Sequence, residues 1–270
     1  MFFMRELCLF PTGRNQQMQL NGTNPSVCFL ESDPQLSLVR RGAAEFIGTL
    51  LLVLVILGEK LNASHFPGSG HDTGALALAV AAGAALGALI LALGSVSGGH
   101  FNPLITLLQW ITRLRSGKSF CVYVTAQIAG GIGGAILAST AFGRMRSVGG
   151  PPSPESGWVL AELLFSTGLL VVVFGCMQSN RKEFAALAVG TWLMGSSIDM
   201  PNAFGNPALA LGAKLSLGGV LTWHTVLFAI VVELGGAAVT AAIVALLFPN
   251  FMRVSPRVSA GIRVGARAGS

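Results

Sequence analysis

Asn102-Pro103-Leu104 and Asn206-Pro207-Ala208 are two short polar breaks in a 270-residue chain that is otherwise nearly all apolar. Pro has no N–H to leave unpaired in a first helical turn, and an Asn side chain caps the turn, so each motif predicts the start of a helix. Several backbone N–H groups are unsatisfied at such a start, and the helix dipole places about half a positive charge there. Two such ends meeting inside a bilayer repel cations. Their Asn amides offer N–H donors to the oxygen of a passing water or alcohol, which orients it and interrupts its hydrogen-bonded chain. The chemistry these residues suggest is selective passage. Ser, His and carboxylates occur in no nucleophile arrangement, so no catalytic residue, metal site or cofactor is assigned and an enzyme is not expected.

The elements that position the two motifs follow from hydropathy. Hydrophobic residues make up 52% of the chain and charged residues 10%, against about 25% charged in a soluble domain. Six stretches are long and apolar enough to span a bilayer, at 42–58, 74–94, 119–143, 158–178, 183–200 and 221–248. Two apolar segments, 101–112 and 205–216, are too short to cross and begin at the Asn-Pro pairs. They are expected as re-entrant half-helices. The 35 Gly residues suit close helix packing in lipid.

The order of elements repeats. Glu45 within Ala44-Glu45-Phe46 matches Glu162 within Ala161-Glu162-Leu163, and Asn102-Pro103 matches Asn206-Pro207. Gln127 follows its Asn by 25 residues and Glu233 follows its own by 27. Three spanning helices per repeat is an odd number, so the second copy enters from the opposite side and the repeats are inverted. The expected fold is an all-α membrane protein with six transmembrane helices and two half-helices in an inverted 3+3 arrangement. Its channel domain covers 41–249, with repeats 41–143 and 158–249. A flexible extension, 1–40, precedes it, and a basic tail, 250–270, follows it.

Basic residues set the orientation. With a cytoplasmic N-terminus the inner loops hold Arg40, Arg41, Arg113, Arg115, Lys118, Arg181, Lys182, Arg253, Arg257, Arg263 and Arg267, against Lys60, Arg144, Arg146 and Lys214 outside. Eleven against four places both termini in the cytoplasm. The net charge of +6 is spread through loops, which argues for membrane orientation and against nucleic acid. Cys8, Cys28, Cys121 and Cys176 have no metal-ligand spacing and imply no disulfide framework.

Ser97-Gly98-Gly99-His100-Phe101-Asn102-Pro103, Ala44-Glu45-Phe46-Ile47-Gly48-Thr49 and Tyr123-Val124-Thr125-Ala126-Gln127 resemble the signatures of the aquaporin and aquaglyceroporin family of major intrinsic proteins. The resemblance runs from about 41 to 249. It implies a channel for passive diffusion of small uncharged solutes, assembled as a homotetramer in the membrane lipid. Two departures bear on selectivity. Leu104 replaces the usual Ala, and Leu209 replaces the Arg that the family places three residues after the second Asn, removing a charged donor from the outer filter. By spacing, the other filter positions fall on Ala82, Met194 and Ala203, so the expected ring is apolar and lined by two small side chains. Ala210 stands where glycerol facilitators carry an Asp. Divergent bacterial members of the family, some associated with arsenous acid, resemble this pattern more closely, and they imply a bacterial inner membrane.

Polar groups at membrane depth complete the reading. Glu45 and Glu162 are expected to accept hydrogen bonds from the non-helical loop before each half-helix. Glu233 is expected in a helix interface, protonated. His100 reads as a loop-packing histidine, with a pH gate as the alternative. Three functions follow: a channel for polyols, urea, metalloid acids or water; a secondary transporter on the same inverted scaffold; or a non-conducting scaffold plugged by Leu104, Met194 and Leu209.

Overall fold

Pro at the first turn sets where the two short helices of this chain begin, and Ser or Thr side chains cap the starts of two long ones. A computed structural model describes residues 28–33, 35–63, 71–143, 156–179, 182–200, 202–216 and 221–249. In chain order the helices are α1 Leu38–Ala63, α2 His71–Ser97, α3 Pro103–Ile111, α4 Gly117–Phe142, α5 Ser156–Gln178, α6 Ala185–Asp199, α7 Pro207–Leu215 and α8 Trp223–Leu247. The half-helices α3 and α7 start at their prolines. The Oδ1 of Asn102 accepts from the Leu104 N–H at 2.9 Å, and that of Asn206 from the Ala208 N–H at 3.0 Å. Ser116 and Thr222 cap α4 and α8 in the same way, and α4 stops at Gly143 with φ of 98°.

The fold is all-α, with six membrane helices and two half-helices. Helices α1, α2, α4, α5 and α8 are each long and apolar enough to span a bilayer by themselves. Helix α6 has 15 residues and is preceded by a 3₁₀ turn, Lys182–Phe184. Together they reach about 28 Å, close to the thickness of the hydrocarbon core. The predicted spans fall on these helices with ends shifted by at most five residues, the largest being at Ala63 against the expected 58. α1 and α2 lengthen at both ends because their flanking residues continue the helical backbone after hydropathy falls.

Inversion of the repeats is visible in which helices touch. α1 packs on α2 and α4, as α5 packs on α6 and α8. α3 lies against α4 and α8, as α7 lies against α8 and α4. Two contacts are their own counterparts, α2 with α6 and α3 with α7, so the pseudo-two-fold axis passes between them. Glycine permits the first: a Cβ on Gly83 would meet the carbonyl oxygen of Gly190, and one on Gly190 would meet that of Gly83. Large apolar side chains such as Leu91 and Leu246 face outward, whereas Glu45, Glu162, Glu233, Gln109 and Gln127 are wholly buried. That reverses the distribution of a soluble protein.

One expectation changes. Residues 28–33 are not a loose extension: Phe29 is 4% exposed within the core, and Glu31 pairs with Arg41 and Arg115. Their low hydropathy conceals a short polar clasp around one aromatic ring. The expected extension before residue 28 and the tail from 250 lie outside the described residues, as does Cys8.

Candidate functional site

Each half-helix is preceded by a non-helical loop whose N–H groups need partners away from water. Glu45 on α1 supplies them in the first half. Its Oε1 accepts from the Ser97 hydroxyl at 2.6 Å and the His100 N–H at 3.0 Å, and its Oε2 from the Phe101 N–H at 2.8 Å and the Gln127 amide at 2.7 Å. Glu162 on α5 does the same in the second half, accepting from the Phe204 N–H at 2.9 Å and the Gly205 N–H at 2.6 Å. In each loop the residue before the Asn has positive φ, 49° at Phe101 and 57° at Gly205. Only the second is glycine, and a Cβ there would run into the Phe165 ring. Phe101 carries the cost of the left-handed region, held by its bond to Glu45.

The two motifs brace each other. Asn102 Nδ2 donates to the Gly205 carbonyl at 2.8 Å, and Asn206 Nδ2 donates to the Phe101 carbonyl at 2.9 Å. Each Asn therefore uses its oxygen on its own helix start and one N–H on the opposite loop. An amide has a second N–H, and both Asn residues border a cavity that runs along the bundle axis.

Periodicity explains the cavity wall. Leu52, Ile56 and Lys60 form one i, i+4, i+8 stripe of α1, and Leu78, Ala82, Leu86 and Ile90 continue the same spacing on α2. Leu193 and Ser197 do so on α6, while Ala203 and Leu209 flank the second motif. Lys60 is the one Lys, Arg, Asp or Glu among the described lining residues. A lumen of this kind passes small neutral molecules past two amide donors and two helix N-termini.

Comparison with known proteins agrees with that geometry. Residues 33–243 match the family model of the major intrinsic proteins. The chain belongs to the major intrinsic protein family. It is an integral membrane channel for small solutes. It is 32% identical over 243 residues to aquaporin-5 of Sus scrofa, covering 83% of this chain and 87% of that protein. It is 31% identical over 195 residues to the aquaglyceroporin AqpS of Rhizobium meliloti, covering 67% and 78% respectively. The fold is shared with the X-ray structure of the aquaglyceroporin from Plasmodium falciparum, with a TM-score of 0.68 at 20% identity over 80% of this chain and 99% of that one.

Within this channel the expected filter residues Ala82, Ala203 and Leu209 all border the cavity. Met194 does not. Its backbone and Cβ lie against Gly83 in the α2–α6 interface, and Leu193 takes the lumen position instead. Counting back from Asn206 crosses the irregular segment between α6 and α7, where one residue of slack rotates the helical register by about 100°. Leu104 is likewise absent from the cavity wall. It is 1% exposed in the core, in the first turn of α3, so its extra bulk is spent on packing. Pro103, Pro207 and Ala208 are buried in their first turns.

The other polar residues resolve into two unlike sets. Gln127 joins Glu45 to Thr106, donating at 2.7 and 2.9 Å. Glu233, at the equivalent place on α8, faces Glu162, yet neither of its oxygens has a well-formed hydrogen bond. His100 is buried and packs in the loop, with Nδ1 2.9 Å from Thr106 Oγ1 and Nε2 3.1 Å from the Phe29 carbonyl. Sequence reasoning missed Lys60 and Phe29 as lining residues. Lys60 reads as an outer-loop cation, but α1 continues to Ala63; its i+8 spacing from Leu52 is the signal that places it on the pore stripe. No periodic signal places Phe29 there.

Proposed function

We infer that the channel passes small uncharged solutes up to the size of glycerol, urea or arsenous acid by facilitated diffusion, with water as a further permeant. The filter carries this reading. Ala82, Leu193, Ala203 and Leu209 form an apolar ring without the guanidinium that the family places at the Leu209 position, so a solute is not held by a charged donor there. Cations are opposed by the two helix starts at Asn102 and Asn206 and by Lys60 at the far end of α1. One relative being named an aquaglyceroporin supports solutes larger than water. Swelling of vesicles carrying the protein, driven in turn by sucrose, glycerol, urea and arsenous acid gradients, tests the reading. Glycerol or arsenous acid entry above the protein-free rate supports it, and passage of water alone refutes it.

Ion-coupled transport has little to stand on, because no carboxylate borders the cavity among the described residues. The channel unit is read as 41–249, made of repeats 41–143 and 158–249. The excess of Lys and Arg on one side supports cytoplasmic termini, and the likeness to the aquaglyceroporin of Rhizobium meliloti supports reading the membrane as a bacterial inner membrane. Assembly is read as a homotetramer with one pore per subunit. No catalytic role is proposed for any residue.

A further inference from the structure

The residues just before α1 do something that the channel scaffold does not require. Phe29 has φ of 60°, in the left-handed region, and its ring is 4% exposed. Phe29 borders the same cavity as Ile90, Gly99 and His100, at the end where α1 begins and α2 finishes. Its carbonyl accepts from Gln109 Nε2 at 2.8 Å and lies 3.1 Å from His100 Nε2, a nitrogen that is also 3.4 Å from the Arg115 guanidinium. Two residues on, Glu31 binds the Arg41 guanidinium of α1 with one oxygen and Arg115, at 3.3 Å, with the other. The Ser32 N–H donates to the Ser95 carbonyl at 2.9 Å. Gly98, with φ of 97°, leaves no room for a Cβ against the Phe29 carbonyl.

We propose that Phe29 is a third constriction of the pore, at its inner end, held across the lumen by a clasp of Glu31, Arg41, Arg115, Gln109 and His100. The inference rests on the channel reading, with the termini on the inner side. Three observations separate a constriction from ordinary wall. The ring belongs to no helix of the bundle and enters from a short run of turn and bend residues. Its backbone is strained, and such strain persists only where the surroundings over-determine it. The polar attachments converge on the carbonyl and on Glu31, leaving the ring itself against apolar lumen. An aromatic ring across a narrow apolar lumen excludes water and solute together, so its position governs both rate and size limit. Glu31 carries the two ion pairs of the clasp, so removing its charge loosens the segment from Arg41 and Arg115 while the bonds to Gln109, His100 and Ser95 stay.

The test uses vesicles of the full-length chain and of Phe29→Ala, Glu31→Gln and Phe29→Trp, each checked for an unchanged size-exclusion profile. Swelling is driven by water, urea and glycerol gradients. In parallel, Leu86→Cys is placed in a background whose Cys8, Cys28, Cys121 and Cys176 are replaced by Ser. The reaction of its introduced thiol with a charged methanethiosulfonate reagent, added from the side of the termini, is timed with and without Phe29→Ala. The expected result is a several-fold rise in flux for Phe29→Ala, largest for glycerol, a smaller rise for Glu31→Gln and a loss for Phe29→Trp, with several-fold faster labelling of that thiol once the ring is removed. Faster labelling without flux of any solute upholds the constriction and refutes the solute reading. Unchanged labelling with unchanged flux in folded Phe29→Ala overturns the constriction.

Discussion

Gln127 and Glu233 occupy equivalent places in the two inverted repeats, but Gln127 is hydrogen-bonded to Glu45 and Thr106 whereas both oxygens of Glu233 lack a well-formed partner beside Glu162. An amide can donate to a neighbouring carboxylate, while a second carboxylate repels it and must take up a proton to do the same.

Glu233→Gln is therefore expected to stabilise the protein, because it removes a buried acid and supplies the donor that Glu45 has in the first repeat. The gain should be about 1–3 kcal/mol, the size of the penalty for one unsatisfied buried group. Thermal unfolding in detergent measures it, and a lower midpoint for the variant would show that Glu233 has a partner the geometry does not reveal.

Asn102→Asp and Asn206→Asp each exchange the bracing N–H for an anion facing a carbonyl oxygen. Both should lower neutral-solute flux and weaken cation exclusion, since a negative charge cancels the helix N-terminal field. Flux and a sodium-sensitive dye in the same vesicles report the two effects, and wild-type values for both variants would show that the motif is not the constriction.

Lys60→Met keeps the length of the stem and removes the lining cation. Glycerol flux is expected to stay within about twofold, as one lining charge has little hold on a neutral solute, while cation leak rises. Lys60→Arg serves as the control and should leak no more than the wild type.

Leu209→Arg should narrow the ring it shares with Ala82, Leu193 and Ala203 and slow glycerol and arsenous acid more than water. Equal slowing of every solute would indicate plugging by an unoriented guanidinium, and unchanged fluxes would place Leu209 outside the filter.

Gly131→Ala tests the packing that holds the second half-helix. A Cβ there would strike the backbone of Ala208, where α4 and α7 touch. Overpacking of this kind costs about 1–3 kcal/mol, so a lowered unfolding midpoint accompanied by reduced flux is expected.

Hydropathy, the paired Asn-Pro motifs and the odd number of spans per repeat determine the architecture from the sequence alone, because each is a local property of the chain. A bilayer admits no spanning backbone other than one with its hydrogen bonds made internally, so about twenty apolar residues leave almost no choice of element. The loop-supporting roles of Glu45 and Glu162 were legible for the same reason: an acid at that depth must meet N–H groups, and the loops held the ones without partners. The tertiary structure alone decided that Leu193 and not Met194 faces the lumen, since the rotation of α6 depends on how the irregular segment before α7 is taken up. It alone decided that Glu233 lacks the bonds of Gln127. Phe29 is the clearest case, because the segment that carries it is held by Arg41, Ser95, His100, Gln109 and Arg115, the last of them 84 residues beyond Glu31. Contacts gathered from so many places leave no periodic trace in the segment itself.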